Sequence, residues 1–378
     1  MVARITAVRQ EPKSPGSSFV PAEPAALVLE DGVTFQGMRI GASGDAGGEV
    51  VFTTSMTGYQ EVVSDPSYRG QIVVMAYPLI GNYGFSSGAW EAPGPHVAGF
   101  VVREAATVAS HYLSREPLHD FLQAHGVTGL AGVDTRALVR HLRVHGLQRG
   151  VIVSRAGPDA AGRAAVLPSL SQQDLVGQVS RTSPLVLPGP GPRIALVDCG
   201  VKAGIVDALR RRGCEIVLVP HSMAAGEIHA FAPAGVVLSN GPGDPAVLGD
   251  VIGTVRSLLE AYPLLGVCLG HQLLALACGG RTYKMRFGHR GSNQPVSEVA
   301  TGRVMITTQN HGFAVEPDVP TSLQVTHVNL NDATVEGLRH RTLPAFSVQF
   351  HPEGRPGPTD AEFLYDRFLE LVREHVRA

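Results

Sequence analysis

Residues 264–277 read L-L-G-V-C-L-G-H-Q-L-L-A-L-A, a short apolar run that reaches a cysteine between two glycines and continues directly into a helical pattern. This is the layout of a nucleophile elbow. A strand turns sharply into a helix, and small flanking residues let the backbone take a strained turn with the nucleophile at its tip. Gly266-Val267-Cys268-Leu269-Gly270 carries sulfur where the G-x-S-x-G elbow carries oxygen. A cysteine that opens a helix meets free N–H groups and the positive end of the helix dipole, surroundings that promote a reactive thiolate. Burial as an inert core residue is the commoner fate of a free cysteine. Two glycines at the elbow spacing favour the nucleophile.

Outward from this stretch, the chain has 378 residues, more than one ordinary domain, and 44% hydrophobic residues, ample for two cores. A formal net charge of −2 advertises no surface for nucleic acid or an anionic membrane. The four cysteines, at 199, 214, 268 and 278, form no C-x-x-C pair. A reducing, cytoplasmic compartment with no metal site is therefore expected. Cys199, Cys214 and Cys278 read as core residues. No apolar run reaches the roughly 20 residues needed to span a bilayer. Residues 1–24, rich in Pro and Ser and without a continuous apolar core, read as a disordered leader rather than a secretory signal.

From residue 25 to 155 short strand-like runs alternate with Gly and Pro, predicting a β-rich first domain. It closes with a helix capped by Asp134, striped by Leu138, Val139 and Leu142, and stopped at Gly146. The pattern weakens over 156–192, a linker region ending in Pro188, Pro190 and Pro192 at alternate positions. From 193 to 378 strands alternate with helices: R-I-A-L-V-D at 193–198, a helix with Ile205, Val206 and Leu209 inward, then strands at 214–220 and 235–240. A helix over 247–262 precedes the strand that delivers Cys268. The fold class is α/β, with a mainly parallel sheet covered by helices on both faces and ligands at the carboxyl ends of its strands. A β-rich excursion follows to A-F-S-V-Q-F at 345–350, and an amphipathic helix ends the chain.

A catalytic thiol needs a base, and the base an orienter. His351-Pro352-Glu353 supplies both at the end of the last apolar strand, where residues two apart share a side in extended backbone. Ser239-Asn240-Gly241-Pro242-Gly243-Asp244-Pro245 leaves a neighbouring strand, and its glycines let N–H groups approach a ligand, as in an oxyanion hole. A phosphate cradle is the rival use, but the chain contains no G-x-x-x-x-G-K-[ST] and no recognisable ATP site of its own.

Together G-V-C-L-G-H-Q, S-N-G-P-G-D-P and H-P-E-G-R-P-G-P resemble the class I glutamine amidotransferase domain, from about Arg193 to the C-terminus. S-M-T-G-Y-Q-E at 55–61, D-P-S-Y-R-G-Q-I-V at 65–73, Y-P-L-I-G-N-Y-G at 77–84 and V-D-T-R-A-L-V-R-H-L-R at 133–143 resemble the N-terminal domain of the carbamoyl-phosphate synthase small chain family. The resemblance implies Cys268 as nucleophile with His351 and Glu353 completing a triad. It implies L-glutamine held by Ser67, Gly241, Gly243, Leu269, Gln272, Asn310, Gly312 and Phe313, with Gln272 at the amino-acid end. It implies hydrolysis through a cysteine thioester, and ammonia passed to a large-chain partner in a heterodimer or larger complex. There bicarbonate and two ATP, with a divalent metal, yield carbamoyl phosphate for arginine and pyrimidine synthesis; no cofactor is implied on this chain.

The chain departs from the family's pattern in places. Its D-x-G-x-K-x-N-I-x-R run reads Asp198 to Asp207 with Gly204 for the Asn and Asp207 for the Arg. Arg290 stands where a second His is usual in K-M-R-F-G-H-R-G-S-N, and Arg355 replaces a small residue in H-P-E-x-S-P-G-P. Rival readings are an amidotransferase subunit for guanylate, anthranilate or aminodeoxychorismate synthesis, a cysteine peptidase or γ-glutamyl hydrolase, and a non-catalytic regulatory subunit.

Overall fold

The computed structural model describes residues 23–157 and 159–377. Apart from Glu23 and Pro24, the expected leader lies outside these residues.

The first domain is a closed seven-stranded barrel. Its strands are β1 (Pro24–Leu29), β2 (Thr34–Gly41), β3 (Ala46–Thr53), β4 (Gln71–Met75), β6 (Gly99–Val101), β8 (Thr128–Ala131) and β9 (Gln148–Val153), in the order β1-β2-β8-β6-β4-β3-β9. A two-stranded ribbon, β5 (Leu79–Ile80) and β7 (Glu104–Ala105), stands outside it. Helices α1 (Tyr59–Ser64), α2 (Leu118–Ala124) and α3 (Thr135–His145) pack around the barrel. Asp134 caps α3 by accepting from the Ala137 N–H at 2.9 Å, and Gly146 ends it at φ 91°. Leu27, Val50, Ile72, Val101 and Leu130, from strands all round the barrel, form one cluster with Leu138 and Leu142 of α3, while Val51, Val73 and Phe100 pack on the other face with residues of α1 and α2. This alternation along each strand is the period of two that a sheet buried on both faces requires.

The stretch read as a linker holds α4 (Ala160–Ala165) and β10 (Leu185–Leu187), which stops just before Pro188. β10 pairs antiparallel with β12 at the edge of the second domain's ten-stranded sheet. The parallel half of that sheet is β12 (Glu215–Pro220), β11 (Arg193–Asp198), β13 (Gly235–Leu238), β14 (Leu264–Val267) and β19 (Ala345–Val348), in that spatial order. The antiparallel half is β18 (Val335–His340), β16 (Val304–Val315), β15 (Thr282–Glu298) and β17 (Leu323–Asn329).

On β11, Ile194 and Leu196 pack with Ile205 and Leu209 of α5 (Ala203–Arg211) and with Leu364 and Phe368 of α9 (Phe363–Arg377). Ala195 and Val197 face the other way, with Ile228 of α6 (Ala225–His229), Val255 and Leu258 of α7 (Gly249–Ala261), and Leu273 and Leu274 of α8 (Leu269–Ala277). Cys199 and Cys214 are buried, as expected, whereas Cys278 at the end of α8 is only partly so. No described helix is long and apolar enough to cross a membrane.

Candidate active site

β14 ends at Val267 and α8 begins at Leu269, so a single residue, Cys268, makes the turn. Its backbone is at φ 56°, ψ −103°, a region that L residues rarely adopt. The flanking glycines explain how the turn closes. A Cβ on Gly266 would lie 2.5 Å from the Gly270 carbonyl oxygen, and one on Gly270 would lie 2.3 Å from that of Leu238. The Gly270 N–H donates to the Ser239 carbonyl at 3.0 Å, fastening α8 to the S-N-G-P-G-D-P loop.

His351 and Glu353 follow β19. Their pairing forms, with His351 Nδ1 2.8 Å from Glu353 Oε1, but across a turn rather than along extended backbone. Glu353 also receives Lys202 Nζ at 3.2 Å on Oε1 and the Tyr365 hydroxyl at 3.2 Å on Oε2. All these side chains are buried. Burial works against the imidazolium, but the Glu353 carboxylate overrides it and pushes the His351 pKa up to about 10. Burial likewise opposes the carboxylate, yet Lys202 and His351 hold Glu353 well below the usual carboxylate range.

The His351 Nε2 atom is buried without a hydrogen-bond partner among the described residues, and the nearby Cys268 thiol raises the proton affinity of the ring. The thiol itself donates to the Asn310 carbonyl, at 3.6 Å. The sulfur therefore sits between a strand carbonyl and an imidazole with an open nitrogen, the geometry of a thiol–base pair before substrate enters.

One cavity, open to solvent, is lined by Cys268 together with Ser67, Gly241, Gly243, Leu269, Gln272, Asn310, Gly312 and Phe313. All the expected substrate-binding residues thus meet in one place at the domain interface. Ser67 arrives from the first domain, its hydroxyl accepting from Asn240 Nδ2 at 2.9 Å and its N–H donating to Asp65 Oδ1 at 2.9 Å. The same Asp65 receives Asn310 Nδ2 at 2.9 Å on its other oxygen. Gln272 is more committed than expected: its Nε2 donates to the Phe313 carbonyl at 2.7 Å and to Gln349 Oε1 at 3.0 Å. Only its Oε1 remains to accept from a ligand.

Sequence reasoning did not single out Gln71, Leu170, Arg290 and His311 as cavity residues, nor Lys202 as a partner of the triad carboxylate. Lys202, Gln71 and Arg290 lie inside motifs already quoted, and His311 lies between the expected residues Asn310 and Gly312, which gave a signal for the segment but not for the side chain. Leu170 lies where the pattern is weak and has no signal. His311 supports the cavity wall with Nδ1 2.8 Å from the Phe313 carbonyl and Nε2 2.9 Å from Gln309 Oε1, its single ring N–H in the neutral form donating to one of the two. With His289 and Glu336 it forms a buried group of metal-ligand type, but His289 is spent on Gln309 at 3.0 Å and Asp332 at 2.9 Å. The group reads as a hydrogen-bonded brace for Gln309.

An α/β sheet with a cysteine elbow, an imidazole–carboxylate pair and a cavity at the cysteine defines an amidotransferase-type domain, and the comparisons agree. Residues 195–371 match the family model Glutamine amidotransferase class-I, and residues 27–152 match Carbamoyl-phosphate synthase small chain, CPSase domain. The chain is 50% identical over 351 residues to the carbamoyl phosphate synthase small chain of Bacillus caldolyticus, covering 92% of this chain and 96% of that protein. It is 48% identical over 350 residues to the pyrimidine-specific small chain of Bacillus subtilis, covering 92% and 95%. With the small chain of Nitratidesulfovibrio vulgaris it shares 46% identity over 369 residues, covering 93% and 98%. The chain belongs to the carbamoyl phosphate synthase small chain family.

Proposed function

We propose that this chain hydrolyses L-glutamine to glutamate and ammonia through a Cys268 thioester and delivers the ammonia to a large chain that makes carbamoyl phosphate. The observation that carries this reading is the Cys268 elbow in the wall of the cavity that gathers the expected substrate-binding residues, with His351, its Nε2 buried and unpartnered among the described residues, next to the thiol. The high proton affinity that Glu353 confers places the proton shared by thiol and imidazole on His351 at neutral pH, so the sulfur attacks as the thiolate. The thiolate attacks the side-chain amide carbon, and the developing oxyanion is met by backbone N–H groups of Gly241 and Leu269. His351 returns the proton to the departing ammonia, leaving a γ-glutamyl thioester. Water, deprotonated by His351, then cleaves the thioester and restores the thiol.

Free ammonia is mostly protonated near neutral pH and then no longer nucleophilic, so an enclosed passage to the consuming site suits the chemistry. The partner chain would hold bicarbonate, ATP and its divalent metal, in a heterodimer or larger cytoplasmic complex serving arginine and pyrimidine synthesis.

The test is glutamate release by wild-type chain and Cys268→Ser, each with and without a large chain and its substrates. Release that depends on Cys268 and rises with the partner is expected, as is retained synthesis from added ammonium by the Cys268→Ser complex. Release indifferent to the partner would indicate a stand-alone hydrolase, and loss of ammonium-dependent synthesis would refute the division of labour.

A further inference from the structure

Arg290 is a buried cation at the cavity that the chemistry above leaves idle. It lies on β15 directly opposite Asn310 on β16, so the two side chains share a face of the sheet and both line the cavity. The residue is only 4% exposed. Of the five N–H donors of a guanidinium, one is used among the described residues: Nη1 donates to the Phe287 carbonyl at 2.9 Å. Nε is buried with no partner. Nη2 lies beside Gly312, where an added Cβ would come within 3.1 Å of it.

No carboxylate oxygen of the described residues comes within ion-pairing distance of Arg290. Glu49, the carboxylate whose field reaches it, is engaged by Lys284. The contrast with Lys202 is instructive, since that buried cation is matched by Glu353 at 3.2 Å and by the nearby Glu91. A buried charge without a partner is costly, and a guanidinium cannot relieve the cost by losing its proton at physiological pH. Such a group at the wall of a cavity is suited to an anion supplied from outside, held by the planar fork that arginine offers to carboxylates.

We propose that Arg290 receives the α-carboxylate of the amino-acid substrate, so that the pocket selects free glutamine over glutamine whose carboxylate is tied up in an amide or peptide bond. The inference rests on the glutaminase reading and adds a specificity determinant to it. With the carboxylate on Arg290 and the α-ammonium near Gln272 Oε1, the side-chain amide is left to extend toward Cys268.

The experiment compares wild-type chain, Arg290→Met and Arg290→Lys, each in complex with the large chain, on L-glutamine and on L-glutamine α-amide, which lacks the carboxylate. Wild type is expected to favour glutamine by about a hundredfold in kcat/KM, the scale of one hydrogen bond to a charged group. Arg290→Met should lose glutamine turnover by a similar factor through KM while handling the α-amide within about threefold of wild type, so the preference collapses; Arg290→Lys should keep part of it. An equal loss on both substrates, or a wild type without preference, overturns the proposal. Calorimetric binding of L-glutamate to the full chain reads the same cation without turnover. If wild type hydrolyses nothing, the glutaminase reading fails, while glutamate binding abolished by Arg290→Met still supports the carboxylate site and unchanged binding refutes it.

Discussion

Glu353 is shared between two cations, His351 on one oxygen and Lys202 on the same oxygen from the other side. It works on the rate through His351. Because the carboxylate holds the His351 pKa up at about 10, kcat/KM for glutamine should fall only as pH rises through that value. Glu353→Gln removes the stabilising charge, so the falling limb should move to lower pH and kcat/KM at neutral pH should drop by about a hundredfold or more; a pH–rate profile of both proteins checks this. The sign for stability follows from the same shifts. The lowered Glu353 contributes stability present above the ordinary carboxylate range near 4.5 and lost as pH falls through its folded value. The raised His351 contributes stability present below its ordinary value of 6.5 and lost as pH rises through about 10. Both contributions are fully present only between 4.5 and 6.5, so the pair stabilises most on the acid side of neutral pH. Sequence showed His351 and Glu353 as partners because they are two residues apart. It did not show Lys202, whose approach depends on where β11 and the segment after β19 end.

At the scale of the element, the elbow is a packing device. β14 meets α8, and α8 meets the end of β13 at Leu238, so closely that neither flanking glycine has room for a methyl group. Gly266→Ala would drive its Cβ against the Gly270 peptide and the His271 N–H, at 2.5 to 2.9 Å from three backbone atoms. A loss of about 1–3 kcal/mol in unfolding free energy is expected from such overpacking, measured by denaturant titration, together with impaired glutaminase activity as Cys268 shifts. This element was legible because its signals are local: glycine spacing, an apolar strand of β14 length and helical continuation. The 156–192 stretch was legible only in part. Its strand β10 is three residues long and exists by pairing with β12, and Leu170 reaches the cavity wall through the fold rather than through any periodicity.

For the whole molecule, the two domains are locked beside the triad by one arginine. Arg355 places Nε 3.0 Å from Glu91 Oε1, Nη1 2.9 Å from Asp207 Oδ2 and Nη2 2.8 Å from the Trp90 carbonyl. The Glu91 contact is an ion pair rather than an aligned hydrogen bond, since Oε1 has no formed one. Its other oxygen accepts from the Gly204 N–H at 3.0 Å, and its carbonyl accepts from the Ala203 N–H at 2.8 Å, plugging the first domain into the start of α5. Three of the four departures from the family's runs, Gly204, Asp207 and Arg355, thus meet around Glu91. A Cβ on Gly204 would lie 2.8 Å from Glu353 Cγ, so the missing side chain makes room.

Arg355→Ser should weaken the lock and leave Asp207 and Glu91 with one cation fewer, while Asp207→Arg in its place should restore thermal stability toward wild type; a double-mutant cycle of melting temperatures reads the coupling. Burial, opposed by Lys202 and Arg355, sets the Glu91 pKa at about 7. The folded state then binds more protons than the unfolded one between about 4.5 and 7, so this group lowers stability as pH rises through that window. Without Arg355 the window should extend to higher pH.

What the sequence by itself determined about this protein is everything whose cause lies within a few residues: the elbow that exposes Cys268, the alternation that makes the sheet, the cap on α3, the runs that mark the family. The meeting of Ser67 with Asn240, the unpaired burial of Arg290 beneath Gly312 and the Arg355 lock were decided only by the tertiary structure. Each joins segments far apart in the chain. Their burial and charge balance are properties of the assembled interior, where water no longer screens or replaces a partner.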